Sequence, residues 1–511
     1  MVSDKYPIFF QMEIPVVNLR DELATLSLRL DKSGVRPLYL QLADQLRQLI
    51  NNARLHPGDR LPSSRRLAEE LGISRTSALN AYDQLIAEGL LITRPASGVF
   101  VSAIEQAVTT PTDGTAHCQS GLGRPGASIE AAGLFDAGPD IDQFPFDDWA
   151  RCLSRVWRRP DPGLLRDRHP GGYWPLRQAI SRYLKVMRDI QVSPEQVIVT
   201  AGNRDALSLI ATVLLQTEYS RPQVEHSLLQ TNPPSQTNST VWLEDPGYPQ
   251  LRQGLMAAGA KLEYCPVDEH GMTLPAAGAP GCFAWMTPAR QYPLGVNMST
   301  QRRLDWLSRS REDNFWLVED DYDSEFHYRK APAAPLFNLD HQQQVILVGS
   351  FSKVMFRTLR IGYLLAPERL VEPLLAAQHN LGTLASMPVQ PALAEFLEHR
   401  RFASHLRRMK RCYQQRRDYL FELLETHLGD SFCTELPDRG MHLVSLLDSG
   451  VGVTDYWLEQ QLADRQVHVS ALSSHYKNAN VQGLLLGFSG SSEQQLLTGV
   501  KILKELLRDS S

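Results

Sequence analysis

Helix-spaced apolar residues organise the first hundred residues of this chain, and from about residue 131 short apolar runs alternate with longer helical patterns. Leu38, Leu42, Leu46, Leu49 and Ile50 share one face of a predicted helix, which His56-Pro57-Gly58-Asp59 interrupts. Ser63 or Ser64 is placed to cap a second helix through Leu71, with Glu69 and Glu70 on its solvent side. Gly72 permits a tight turn, and Ser74 is placed to cap a third helix that begins at Arg75. Its stripe of Leu79, Tyr82 and Ile86, with Leu85 beside it, is expected to face inward, and Gly89 ends it. Two β-rich runs follow, Leu90 to Arg94 and Val99 to Ser102, joined by Pro95-Ala96-Ser97-Gly98.

In the second region, Val197–Thr200 precedes a predicted helix from Asp205 to Leu215, and Val241-Trp242-Leu243 precedes another around Gln250 to Ala258. Phe315 to Val318 and Val345 to Val348 read as further short buried strands. Such alternation predicts an α/β body with a largely parallel sheet, whose ligands gather at the carboxyl ends of the strands. Between the two regions, residues 103–130 gather Thr, Gly, Ser, Pro and Gln without periodicity and read as a flexible linker. A second polar tract at residues 217–240 reads as a tolerated surface insertion. The expected division is an extension over 1–36, a head over 37–102, the linker over 103–130 and the body over 131–511.

Composition narrows the class. At 511 residues, 43% apolar and 21% charged, the chain reads as a globular protein of two to four domains. No run of about 18 apolar residues predicts a membrane span, and Met1 to Phe10 does not read as a secretory signal. The six cysteines lack ligand spacing, which suggests reduced thiols in a cytoplasmic protein and no structural metal. The net charge of −5 says little about nucleic acid; the head holds seven arginines against six acids, so DNA contact there depends on local clustering.

Helix, helix, turn, helix and a two-stranded flap is the layout of a winged helix-turn-helix, whose second turn helix offers its amino-terminal residues to the major groove. That places Ser74, Arg75, Thr76 and Asn80 as candidates for base or backbone contact, with Arg65 and Arg66 on phosphate and Ser97 and Gly98 at the wing. The phrase Pro57-Gly58, Leu61-Pro62-Ser63-Ser64-Arg65, Leu71-Gly72-Ile73-Ser74-Arg75, Ala81-Tyr82 and Glu88-Gly89 closely resembles the DNA-binding domain of the GntR family of bacterial regulators. The wing tip departs a little from that family's glycine-rich form.

Beyond the head, an amine, an acid, a phenol and a guanidinium recur at strand ends. Lys353 closes Ser350-Phe351-Ser352-Lys353, just past a buried strand where a desolvated amine can serve as a nucleophile. Asp320 can pair with a protonated pyridine nitrogen, and Tyr322, two residues on, shares its face and can reach a ring oxygen. Arg360 offers a fork to phosphate, and Ser350, Ser352 and the amides near Gly202-Asn203 can complete an anion cup. Together these groups can hold pyridoxal 5′-phosphate.

The body resembles the fold-type I, class I aminotransferases at Asp245-Pro246-Gly247-Tyr248-Pro249, Thr287-Pro288, Pro293-Leu294-Gly295, Glu319-Asp320-Asp321-Tyr322 and Ser350-Phe351-Ser352-Lys353. The resemblance implies an α/β aminotransferase-like body with Lys353 as the Schiff-base lysine, Asp320 as the pyridine partner, Tyr322 on the phenolic oxygen, Ser350 and Arg360 on phosphate, and Tyr248 near the cofactor or effector. Two positions depart from the enzymes. Tyr292 stands where they place an Asn before Pro-x-Gly, and Leu485-Leu486-Gly487-Phe488 stands where they carry Arg-x-Gly-Phe, the arginine that clamps a substrate carboxylate. Arg465 is a candidate substitute for that clamp.

Head, linker and body together resemble the MocR subfamily of GntR regulators. That resemblance implies a homodimer that binds double-stranded operator DNA and senses an amine or a vitamin-B6 compound through the Lys353 imine. The effector is then either an amine that displaces Lys353 or the cofactor itself. Two alternatives stand beside it: an active aminotransferase with an accessory DNA-binding head, and a degenerate body kept for dimerisation.

Overall fold

The computed structural model describes residues 28, 30–32, 36–52, 54–94, 97–102, 134–166, 169–216, 219, 222, 240–279, 281–329, 333–477 and 481–509. The expected extension over 1–36 and the insertion over 217–240 lie largely outside these residues, and the linker over 103–130 lies wholly outside them. By its internal contacts the chain divides into two compact units, Met1–Gly123 and Arg124–Ser511. Among the described residues no helix is long and apolar enough to cross a membrane.

In the first unit, helices α1 (Leu38–Asn51), α2 (Ser64–Leu71) and α3 (Arg75–Ala87) are followed by an antiparallel ribbon of β1 (Leu91–Arg94) and β2 (Gly98–Val101). The capping residues act as their chemistry directs. Ser63 Oγ accepts from the Arg66 amide and Ser74 Oγ from the Ser77 amide, each satisfying a first-turn donor. Gly72 closes α2 at φ +59°, a left-handed conformation that favours glycine. Leu42, Leu46, Leu67, Ala78, Ala81, Tyr82 and Leu85 form the core of this unit. Leu79 is a correction to the sequence reading: it is 45% exposed, and the inward face of α3 runs through Ala78, Ala81, Tyr82 and Leu85. Small alanines at i and i+3 carry that face, and an apolarity count passes over them in favour of the larger leucine.

The second unit is built on an eight-stranded sheet formed by β3 (Val197–Thr200), β4 (Thr240–Asp245), β5 (Lys261–Asp268), β6 (Gly271–Met272), β7 (Phe283–Met286), β8 (Trp316–Asp321), β9 (Val345–Ser350) and β10 (Gly362–Leu365). Their order is β3-β10-β9-β8-β7-β4-β5-β6; β9, β8, β7, β4 and β5 pair in parallel, and β10 runs against both its neighbours. Strands β3 and β7 are buried throughout and β9 is buried up to its last residue, as a sheet covered on both faces requires. A smaller antiparallel sheet of β11 (Phe432–Thr434), β12 (His442–Leu447), β13 (Ser470–Ala471) and β14 (Gly483–Gly487) has the order β11-β12-β14-β13. The helix after β3, α4 (Asn203–Leu214), begins two residues earlier than its apolar spacing suggests, because Gly202 caps it at φ +97°.

Candidate functional site

The carboxyl ends of the parallel strands and one wall of the small sheet enclose a cavity of about 630 Å³. All nine cofactor candidates from the sequence line it: Gly202, Asn203, Tyr248, Asp320, Tyr322, Ser350, Ser352, Lys353 and Arg360. Strand alternation explains how β8 contributes. Asp320 and Tyr322 line the cavity, while the intervening Asp321 points away into a buried ion pair with Arg188, and Glu319 lies near Arg303 at 3.8 Å. Three acids in a row are tolerated because two of them meet arginines behind the sheet.

Burial sets the chemistry of the cavity floor. It pushes the Asp320 carboxyl up to about 7, against the lowering effect of the Trp285 indole N–H, which donates to Oδ2 at 3.4 Å. Asn203 Nδ2 donates to the other oxygen at 3.2 Å. Burial lowers the Lys353 amine to about 8, with nearby Asp323 opposing the shift. Lys353 Nζ donates to the Ala137 carbonyl at 2.9 Å. The Tyr322 phenol is pushed well up by burial, and its oxygen accepts from Arg290 Nη1 at 3.1 Å.

The other end of the cavity suits an anion. Gly202 opens α4 with nothing near the position a Cβ would take, so the first-turn amides at Asn203 and Arg204 are approachable. Ser350 Oγ accepts from the Ser352 amide at 3.2 Å, and Arg360 stands at the rim in a left-handed conformation, φ +51°.

Several participants escaped the sequence reading. Phe135, Asp136 and Ala137 form part of the wall; Gly487 and Gly490 amides bind the Phe135 and Asp136 carbonyls, and Arg357 at the cavity edge pairs with Asp136. Their only sequence signal was the turn-rich Ala137-Gly138-Pro139-Asp140, which follows no periodic element. Leu485 lines the cavity from β14. Arg465, the substitute clamp expected from sequence, is corrected: it is exposed at the end of the helix Asp455–Asp464 and is not among the lining residues. It lies exposed one position past that helix, while His468, Val469 and Ser470 further along line the cavity.

On the head, Ser74, Arg75, Thr76 and Asn80 are exposed along the start of α3, and Ser97 and Gly98 are exposed at the wing. Arg65 and Arg66 are exposed too, each in an i,i+4 ion pair, with Glu69 at 3.2 Å and Glu70 at 2.7 Å. Arg60 was missed by the sequence reading; its guanidinium lies beside Gly98, within 3.3 Å of where a Cβ would stand, which adds a cation to the wing.

An α/β body of aminotransferase layout and a winged helix-turn-helix define a DNA-binding regulator built on an aminotransferase-like domain. Residues 38–101 match the bacterial regulatory proteins of the gntR family, and residues 168–485 match aminotransferase class I and II. The probable rhizopine catabolism regulatory protein MocR of Rhizobium meliloti is 33% identical, covering 93% of this chain and 94% of its own. The pyridoxine biosynthesis transcriptional regulator PdxR of Corynebacterium glutamicum is 31% identical, over 93% and 97% respectively. Among solved structures, an archaeal alanine:glyoxylate aminotransferase is similar at TM-score 0.64 and 24% identity, covering 74% of this chain and 91% of that one. The α-aminoadipate aminotransferase LysN of Thermus thermophilus is similar at TM-score 0.63 and 23% identity, covering 74% and 93%. The chain belongs to the MocR-like subfamily of GntR transcriptional regulators.

Proposed function

We propose that the protein is a pyridoxal 5′-phosphate-dependent regulator that reads operator DNA through its winged helix and senses an amine or a B6 vitamer at Lys353. The observation that carries this reading is convergence: nine residues between Gly202 and Arg360 meet in one cavity, with a buried amine and a buried acid on its floor. The residues fit the group. Among the described residues Asp320 has no cationic partner to offset its burial and Asn203 Oδ1 is buried without a hydrogen-bond partner, and Gly202 leaves open space at a helix amino terminus.

When bound, the cofactor supplies an aldehyde carbon that bonds reversibly to primary amines. Lys353, drawn toward neutrality by burial, is the nucleophile for that carbon. Asp320 holds a pyridine nitrogen, Tyr322 donates to a ring oxygen, and Ser350, Ser352, Arg360 and the first amides of α4 hold a phosphate. Tyr248 stands at the mouth, 42% exposed, with its ring edge-on to Tyr292. Leu485 in the wall offers no charge to a substrate carboxylate, which favours a B6 vitamer or a carboxylate-free amine over an ordinary α-amino acid.

The same reading assigns residues 37–102 to the DNA-binding head, 103–130 to a linker and 131–511 to the sensing body. It places the protein in the cytoplasm as a homodimer, so that two heads meet paired half-sites. The test is the visible absorbance of bound cofactor in the purified protein, together with a transamination assay. A band that disappears in Lys353→Ala supports the reading, and sustained turnover with an amino donor and a 2-oxo acid would instead make the body an enzyme.

A further inference from the structure

Behind Tyr322 lies a buried arginine that the cofactor assignment does not use. The Arg290 side chain is 2% exposed. Its Nη1 donates to the Tyr322 hydroxyl oxygen at 3.1 Å and to Asp323 Oδ2 at 3.0 Å, and its Nη2 donates to the His442 carbonyl at 3.2 Å. A dedicated niche holds it. Gly440, at φ +87°, passes so close that a Cβ there would stand 2.1 Å from Arg290 Cζ. Burial alone would weaken the guanidinium's hold on its proton, but Tyr322 and Asp323 more than offset this and keep Arg290 charged.

We infer that Arg290 is a positioning residue for the cofactor site: through the Tyr322 hydroxyl it steadies negative charge on the ring oxygen that Tyr322 contacts, and so lowers the proton affinity of the nitrogen Lys353 shares with the cofactor. This rests on the proposed cofactor reading. The geometry is directional. A hydroxyl that accepts from Arg290 has its single proton free to donate elsewhere, and Tyr322 opens onto the cavity. The loop explains the need. Tyr292 stands where class I aminotransferases place an Asn, and its ring meets Tyr322 edge-on at 5.9 Å, while Arg290, two residues earlier, donates to the Tyr322 hydroxyl. Arg290 is not among the lining residues, so it would act on a group in the cavity through Tyr322, which is.

Other charges face Lys353 and define the comparison. Asp323 and Asp320 stand on the β8 side, Asp136 and Arg357 face it from the cavity edge, and His442 lies on β12, where burial keeps it neutral. Tyr292 and Tyr322 complete the ring of titratable groups. Arg290 also acts on Lys353 directly through its charge, but it is the cation among these that donates to the Tyr322 hydroxyl, so the part of its effect relayed by Tyr322 should vanish with that hydroxyl.

The full-length protein is loaded with pyridoxal 5′-phosphate, and the absorbance of its lysine-bound form is titrated with pH in wild type, Arg290→Gln, Arg290→Lys, Tyr322→Phe and the Tyr322→Phe/Arg290→Gln double variant. Arg290→Gln is expected to raise the titration midpoint by about one pH unit, with Arg290→Lys between it and wild type, and the further change from Tyr322→Phe to the double variant is expected to be clearly smaller than that. Should Arg290→Gln fail to fold, Arg290→Lys carries the test with a smaller shift of the same sign. An unchanged midpoint in a folded, loaded Arg290 variant overturns the inference. So does an equal shift in the Tyr322→Phe background, which would make Arg290 a structural partner of Asp323. A wild-type protein that shows no lysine-bound absorbance fails at the earlier step, overturning the cofactor reading and this inference with it.

Discussion

The Lys353 amine and the Ala137 carbonyl are joined by a 2.9 Å hydrogen bond across 216 residues of sequence. The segment bearing Ala137 is itself fastened to the small sheet, with the Gly487 amide on the Phe135 carbonyl at 3.1 Å and the Gly490 amide on the Asp136 carbonyl at 2.9 Å. A bond formed at Lys353 would leave its nitrogen at most one N–H and so alter a contact that ties the cavity floor to this wall. Such an exchange gives a ligand different contacts in two states of the body, which any population shift requires.

The first prediction concerns the rate of that bond formation. Burial brings Lys353 down to about 8, so the neutral amine gains population as pH rises through that value. Reconstitution of cofactor-free protein should accelerate about tenfold per pH unit below 8 and level off above it. Stopped-flow absorbance from pH 6 to 10 measures this; a rate still climbing tenfold between pH 9 and 10 would mean an unperturbed lysine.

Asp320→Asn should weaken cofactor binding by about 2 kcal/mol, roughly thirtyfold, by removing a charged partner while keeping the side-chain shape. Equilibrium dialysis with pyridoxal 5′-phosphate checks it. Equal affinity in both proteins would separate Asp320 from the cofactor.

Leu485→Arg should add a carboxylate partner to a cavity wall that has none on β14. Binding of simple α-amino acids to the loaded protein, followed by the change in its visible spectrum, is expected to tighten about tenfold or more. No tightening would place the carboxylate subsite elsewhere, Arg204 and Arg357 being cations on the cavity lining besides Arg360.

For the head, Arg75→Ala should cost about 1–3 kcal/mol of operator affinity and relax preference at one base position. Arg65→Ala should weaken all DNA sequences alike and reduce the salt slope by about one unit. The Arg65–Glu69 pair adds a corollary: Glu69→Gln frees the guanidinium and should strengthen non-specific binding. Fluorescence anisotropy over a salt series, with operator and scrambled duplexes, distinguishes these outcomes, and an unaltered slope in Arg65→Ala would exclude phosphate contact.

The parts of this structure legible in the sequence were those with a local cause. Ser63, Ser74 and Gly72 mark helix ends through their own chemistry, and Val197–Thr200 announces a strand by its apolar run. Asp320, Tyr322 and Lys353 were found because strand ends collect ligands and the three lie near two such ends. What stayed hidden depends on distant chain. Ala137 meets Lys353 only after folding, Arg290 needs the niche left by Gly440, and Arg60 reaches the wing through the bridge it makes with Phe100. Leu79 was misplaced because helix spacing alone cannot rank a leucine against the alanines beside it.

The measurement closest to the central claim is operator affinity of the full-length protein, with and without pyridoxal 5′-phosphate and a panel of amines and B6 vitamers, in wild type and Lys353→Ala. The account predicts that at least one of these compounds changes wild-type affinity and that Lys353→Ala binds DNA but ignores that compound. A Lys353→Ala protein that responds as wild type does would contradict sensing at Lys353.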